Sequence, residues 1–367
     1  MKILHIGSRS SIYNEYIEFI NKNFEINEHN FLIIDGEKKQ GDKSYKKDNI
    51  ERYISKGRNL TRILKTIFLI LQIPILYIKL FFYFRKSQKV IIHGLFDIRI
   101  IVFLYFFRVF LKKSNWVIWG GDLYEPPVRK GTFLDRIDKY VKRNIAYISS
   151  LVPEDYQMAK KINFVTGKYS RAIYMNPITL SFLEELERYK NMKRGTINIQ
   201  IGNSSDPSNN HIEIIELLKK YKDENIKIYC PLSYGNKDYA QEVQKYGKNI
   251  FKEKFIGLLE FLPPQEYAKY INNIDILVFN HRRQQGLGNI NALAYLERKI
   301  YIRSDISSWM YLKEELELEI YDTLNIEEET FEDFISNPKN NNKERILSTV
   351  YSIEYMKNIW ENNFNLL

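Results

Sequence analysis

Cysteine is nearly absent: Cys230 is the only one in 367 residues. A lone thiol excludes an intrachain disulfide framework and suits a reducing compartment. Histidine is scarce at five residues, and no Cys/His spacing of a zinc site occurs. No recognised nucleic-acid motif is present, so nucleic acid is not an expected partner. The N-terminus, MKILHIGSRS, lacks the apolar stretch of a signal peptide and reads as a first core strand.

What is present is globular. Hydrophobic residues make up 44% and charged residues 27% of the chain, and the length suggests two domains. Lysine and arginine outnumber the acids, 55 to 45, for a net charge of +10. That balance favours anionic partners such as nucleotides, diphosphates and acidic lipid surfaces.

Short apolar strands alternate with helical spacings, the pattern of parallel sheets with crossover helices. In the first half, strands are expected at 2–7, 31–34, 90–93, 116–119, 147–149 and 163–165, with a polar loop at 37–51. In the second half they are expected at 196–201, 226–231, 255–256 and 274–279. The polar segment 189–195 reads as a linker. This gives an expected first domain at 1–188, a second at 189–345, and a closing helix at 346–367 packing back towards the first.

One tract stands apart. TIFLILQIPILYIKLFFYF, residues 66–84, is almost wholly apolar and is flanked by arginines and lysines. Its length is borderline for a spanning helix of about 20 residues, and Gln72, Pro74 and Lys79 interrupt it. With the apolar, basic stretch 98–113 it suits the surface of an anionic membrane. Arg62, Lys65, Phe81, Phe82 and Arg85 are the expected acceptor and membrane contacts.

Four loops carry groups suited to chemistry. IGNSSDPSNNHIE, residues 201–213, follows a strand and opens a helix, a layout that favours a bound diphosphate. Asn210 and Glu213 have capping-box spacing. RRQQGLGN, residues 282–289, supplies two arginines and two glycines after another strand. Arg283 suits a pyrophosphate, and Gln285 a ribose or sugar hydroxyl. WGGDLYE, residues 119–125, places Asp122 and Glu125 at a strand's carboxyl end, where open α/β sheets hold ligands. Either carboxylate suits a general base, as does His93 in HGLFD at 93–97. The segment is not an Asp-x-Asp metal site, so no metal or other cofactor is expected.

Together, VIWGGDLYE, IGNSSDPSNNHI, RQQGLGNINAL and HGLFD resemble the 4-acetamido-4,6-dideoxygalactose transferases of enterobacterial common antigen synthesis, glycosyltransferase family 56. The resemblance runs from about His5 to Trp309, and the 66–84 tract has no match in it. It implies an α/β chain of the GT-B fold, two Rossmann-like domains facing across a cleft. It implies a peripheral enzyme on the cytoplasmic face of the inner membrane. The implied donor is a dTDP-linked deoxyamino sugar and the implied acceptor a polyprenyl-diphosphate-linked saccharide.

Carried over by position in the second domain are Gly202, Asn203, Ser204, Asp206, Ser208, Asn209, His211, Arg283, Gln284, Gln285, Gly286 and Gly288; all of these but Asp206 and Ser208, with Ser205 and Asn289 from the loops themselves, are the expected donor contacts. In the wider GT-B pattern two glutamates stand eight residues apart, and here Gln285 and Leu293 occupy those places. The reading is therefore a metal-independent glycosyltransferase. A non-catalytic binding or scaffold subunit of a polysaccharide assembly complex is the alternative.

Overall fold

The computed structural model describes residues 2–35, 50–54, 62–124, 128–176, 178–187, 195–338 and 341–366, with the side chains of 11, 35, 51–54, 62–72, 264, 265 and 268 outside that description. The chain divides into two compact units: Met1–Met175 with Met356–Leu367, and Asn176–Tyr355.

The first unit is built on seven parallel strands: β1 (Ile3–Gly7), β2 (His29–Asp35), β3 (Ile50–Ile54), β4 (Lys89–His93), β5 (Ser114–Ile118), β6 (Tyr147–Ser150) and β7 (Lys168–Arg171). Their order is β3-β2-β1-β4-β5-β6-β7, so the order reverses between β1 and β4. Residues 50–54, partly assigned to a polar loop from sequence, form the edge strand β3. The strand expected at 163–165 lies further on, at β7. Asn163 instead ends a helix whose cap, Phe164, is left-handed at φ 54°.

The two faces of this sheet differ in kind. Leu4, Ile6, Leu32, Ile34, Val90, Ile92, Trp116 and Ile148 form an apolar core with the long helix Arg62–Lys86 and the helices Ile98–Phe106 and Phe133–Asn144. Strand alternation sends the intervening residues to the other face. There lie His5, His29, Lys89, His93, Asn115 and Ser149, all buried.

Buried polar groups of this kind must find partners, and the end of the chain supplies them. The helix Ile353–Phe364 returns to the first unit. Asn363 Nδ2 donates to Ser149 Oγ at 2.8 Å and Ser170 Oγ at 2.9 Å, and Asn363 Oδ1 accepts from Asn115 Nδ2 at 3.0 Å. Lys89 Nζ donates to the Asn363 carbonyl. Trp360, fully buried, donates its indole N–H to the Ile173 carbonyl at 2.8 Å.

The second unit has six parallel strands: β8 (Ile197–Ile201), β9 (Ile226–Pro231), β10 (Phe255–Leu258), β11 (Ile276–Phe279), β12 (Lys299–Ile302) and β13 (Tyr321–Asp322). Their order, β10-β9-β8-β11-β12-β13, reverses between β8 and β11. Its core joins Ile199, Ile201, Ile228, Cys230, Ile276 and Val278 to helix residues such as Ile214, Ile215 and Val243.

All five histidines are buried. Burial holds His29 and His211 down to about 4, His93 and His281 down to about 3, and His5 well below its ordinary value. The unfolded chain protonates near 6.5 while the native rings stay neutral, so stability is complete above pH 6.5 and is lost as pH falls towards 4. At pH 5.5 each ring costs about 1.4 kcal/mol. The raised carboxyls of Asp122, Asp138 and Glu15 oppose this, three groups against five. We expect the urea midpoint to drop sharply between pH 7.5 and 5.5. An unchanged midpoint would contradict the neutral assignment.

Candidate active site

In the second unit, the loops after β8 and β11 leave the sheet where the strand order reverses, the usual ligand position in open α/β sheets. They are stitched together. The Arg282 amide donates to the Ser208 carbonyl at 2.9 Å. Arg283 Nη2 donates to Asp206 Oδ2 at 3.3 Å, and Gln285 Nε2 to Ser208 Oγ at 3.1 Å. Arg282 Nη2 donates to Asn210 Oδ1 at 3.1 Å. Hydrogen bonds from Ser208 and the Arg283 charge hold the Asp206 carboxyl below its ordinary value, against desolvation.

Two glycines permit this approach. Gly202 has φ +63°, and a Cβ there would stand 2.3 Å from His211 Nε2. Gly286 has φ +70°, and a Cβ would stand 2.7 Å from the Phe279 ring. Gly286 is the N-cap of the helix Leu287–Tyr295 and offers no side-chain cap. That helix start, carrying Gly288 and Asn289, keeps the positive end of its dipole for a ligand. Asn289 Oδ1 accepts from Tyr267 Oη.

Several expected donor contacts instead hold the loop's shape. Ser204, Ser205 and Asn209 are buried. Ser205 Oγ donates to the Tyr234 carbonyl at 2.8 Å, and Asn209 Nδ2 to Ser204 Oγ at 3.1 Å. Asn209 Oδ1 accepts from the Asn203 amide at 2.8 Å. The capping box does not form. Asn210 is left-handed at φ 55°, and its Nδ2 donates to Glu213 Oε2 without capping the helix backbone. Tyr234, which the sequence did not single out, accepts from Asn203 Nδ2 at 2.9 Å.

His211 Nδ1 and Nε2, His281 Nε2 and Asn203 Oδ1 are buried with no hydrogen-bond partner among the described residues. His281 stacks on Phe279 with ring centroids 4.2 Å apart. Orphaned polar atoms beside two arginines and an uncapped helix start fit an oxygen-rich anion.

In the first unit the expected bases Asp122 and His93 are not presented to solvent. Asp122 is fully buried. Its Oδ2 accepts from the Leu95 amide at 2.9 Å and Trp116 Nε1 at 2.6 Å, and its Oδ1 from the Trp119 amide at 2.9 Å. Desolvation raises its carboxyl above the ordinary value, against the pull of those three donors. Lys142, paired with Asp138 at 2.8 Å, caps the Asp122 carbonyl at 2.7 Å. Asp122 therefore joins the ends of β4 and β5. His93 lies among His5, Tyr16 and Tyr174 with its charge suppressed by burial. Glu125 lies outside the described residues.

The basic-apolar tract has a buried and an open side. Leu76, Leu80 and Phe84 enter the core, and Phe81 packs on Phe107 and Phe110. Ile78 at 59% and Phe82 at 56% exposure face outward with Lys79 and Arg85. The side chains of Arg62 and Lys65 lie outside the described residues. Among the described residues no helix is long and apolar enough to cross a membrane.

Replacing Asp122 by Asn puts an amide N–H against backbone or indole donors. We expect unfolding stability to fall by about 3 kcal/mol, measured by urea denaturation. Lost transfer at unchanged stability would return Asp122 to the chemistry.

Solved structures with the same architecture include a sucrose-phosphate synthase from Thermosynechococcus elongatus, with TM-score 0.66, 9% identity, and coverage of 99% of this chain and 98% of that one. An alpha,alpha-trehalose 6-phosphate synthase from Burkholderia multivorans gives TM-score 0.63, 8% identity, and coverage of 99% and 96%. A glycosyltransferase from Rickettsia africae ESF-5 gives 0.61, 10%, and coverage of 99% and 98%. At such identities these likenesses establish the fold, GT-B. The sequence pattern of the 4-alpha-L-fucosyltransferases, glycosyl transferase group 56, matches residues 81–365, most of the chain; the protein belongs to that family and is a glycosyltransferase.

Proposed function

We propose that the protein moves a dTDP-linked deoxyamino sugar onto a polyprenyl-diphosphate-linked saccharide, working without metal at the cytoplasmic face of the inner membrane. The observation that carries this reading is the pair of joined loops in the second unit, which with the helices they open carry Arg283, the Leu287–Tyr295 helix start and the orphaned ring nitrogens of His211 and His281. Charge develops on the departing diphosphate during transfer, and fixed cations and N–H groups stabilise it there. The 4-acetamido-4,6-dideoxygalactose named by the sequence resemblance shares the 6-deoxygalactose skeleton of fucose, in keeping with the family's description.

With Asp122 and His93 sealed in the first unit, Glu125 is the remaining base among the sequence candidates. It follows Tyr124 at the end of the short helix Gly121–Tyr124. Its task is to take the acceptor hydroxyl proton as that oxygen attacks the sugar.

Membrane attachment rests on the open side of the Arg62–Lys86 helix, extended by Phe106 at 69% and Val109 at 66% exposure with Arg108 and Lys112 nearby in sequence. Apolar side chains that enter the interface beside cations that meet anionic headgroups are the ingredients of peripheral binding.

Arg283→Ala is expected to weaken donor binding about 10- to 100-fold, measured with dTDP- and UDP-sugars by calorimetry. Glu125→Gln is expected to lower kcat about 10²–10⁴-fold while donor affinity stays near wild type. Full turnover in Glu125→Gln would reject it as the base. Ile78→Asp with Phe82→Asp should abolish flotation with phosphatidylglycerol vesicles and leave nucleotide binding intact. Vesicle binding that persists in this double variant would move the docking surface elsewhere.

A further inference from the structure

Asp206 and Ser208 are not among the expected donor contacts, yet both lie against residues that are, Arg283 and Gln285. The two oxygens of the Asp206 carboxylate have separate tasks. Oδ1 accepts from the Ser208 amide at 2.8 Å and from Ser208 Oγ at 2.5 Å. Oδ2 accepts from Arg283 Nη2 at 3.3 Å. The first task fixes the carboxylate in place. Asp206 is the N-cap of the turn Pro207–Asn209. Its carbonyl accepts from the Asn209 amide and from Asn209 Nδ2, both at 3.0 Å, and Asn209 is buried. A carboxylate anchored by its own turn cannot follow a moving arginine, so the long Arg283 side chain is the partner that conforms.

The same carboxylate sets Gln285 through Ser208. An ionised carboxylate only accepts, so the Ser208 hydroxyl gives its single proton to Asp206. That hydroxyl can then only accept from Gln285, and its contact at 3.1 Å is with Nε2. Oε1 of the same amide lies on the side away from Ser208, as an acceptor for a hydroxyl. One anionic group thus orients a cation directly and an acceptor through a serine, both on a loop 77 residues further along the chain. Long side chains lose rotamer freedom when they grip a ligand, and a prior hold on them lowers that cost at the moment of binding.

We propose that Asp206 is the positioning residue for Arg283, and Ser208 the positioning residue for Gln285, in binding the diphosphate and a hydroxyl of the donor. This rests on the donor reading above. Asp206→Asn separates the two tasks of the carboxylate. Asparagine caps a turn as well as aspartate does, so its oxygen keeps the Ser208 donors. Its N–H group then faces the Arg283 N–H group, donor against donor, and the hold on the arginine is lost. Ser208→Ala removes the hydroxyl that receives Gln285 and keeps the backbone amide that donates to Asp206.

The test is a pair of double-mutant cycles on the full chain, read by calorimetry with dTDP and dTDP-glucose, and with UDP and UDP-glucose as a second pair. Asp206→Asn is expected to weaken nucleotide-sugar binding about tenfold in the wild-type background. In the Arg283→Ala background it is expected to add less than about twofold, because a residue that acts through another has nothing left to act on. Ser208→Ala is expected to weaken nucleotide-sugar binding several-fold, and to add little in the Gln285→Ala background. Urea melts of each variant separate these losses from loss of fold. Equal weakening by Asp206→Asn with and without Arg283 makes Asp206 part of the scaffold, and unchanged or tighter binding makes its carboxylate a bystander or a rival of the phosphates; each overturns its assignment. Equal weakening by Ser208→Ala with and without Gln285, or none, overturns the assignment of Ser208. Failure of all four nucleotides to bind the wild-type protein counts against the donor reading itself, and both positioning roles fall with it.

Discussion

Burial of both faces of a parallel sheet leaves its carboxyl edge as the place where polar groups can meet a ligand, and both units are built on such a sheet. Helices cover the faces, and the loops that follow the strands bring backbone groups to the sheet's carboxyl edge. In the second unit this edge gathers Arg283, Gln285 and the glycine turns. In the first it gathers Trp119, Phe96 and the Gly94 and Gly121 floor. Asp122 makes the latter edge rigid, because one carboxylate accepts from residues after β4 and residues after β5 at once.

The sequence exposed the strand-and-loop rhythm and the motifs because both are local. Alternating apolar runs marked most of the strands, and the glycine-bearing loops announced where ligands belong. Contacts over long separations were not legible. His5 and His93 stand 88 positions apart, and Asn115 and Asn363 stand 248 apart. Nothing in either neighbourhood marks them as partners. The sequence left Asp122 and His93 open between a base and a structural role for the same reason. Their residue types suit a base, but burial and three N–H donors, invisible locally, make Asp122 a joint and His93 a link in a core chain. In the 202–209 loop the hydroxyls of Ser204 and Ser205 are hydrogen-bonded within the second unit, a use of them that local sequence does not reveal.

Charge in this protein is organised by context. Lys and Arg outnumber the acids overall, and the buried Lys142 and Lys89 are matched individually, to Asp138 and to backbone oxygen. The imidazoles take the opposite course and stay neutral. The first unit therefore has a polar interior face that carries little net charge, an arrangement that keeps hydrogen bonds directional without the desolvation cost of ions.

The polar face of the first sheet is completed by residues that come after the whole second sheet in the sequence. Lys89, Asn115 and Ser149 wait for Asn363, and the aromatic layer over His5 and His93 waits for Trp360 and Phe364. On the ribosome the usual order, in which the N-terminal unit settles first, is therefore reversed: the second unit has all its strands before the first can close. A chain without the segment after Tyr355 keeps every strand of the second unit and leaves the first with an open, hydrogen-bond-hungry sheet.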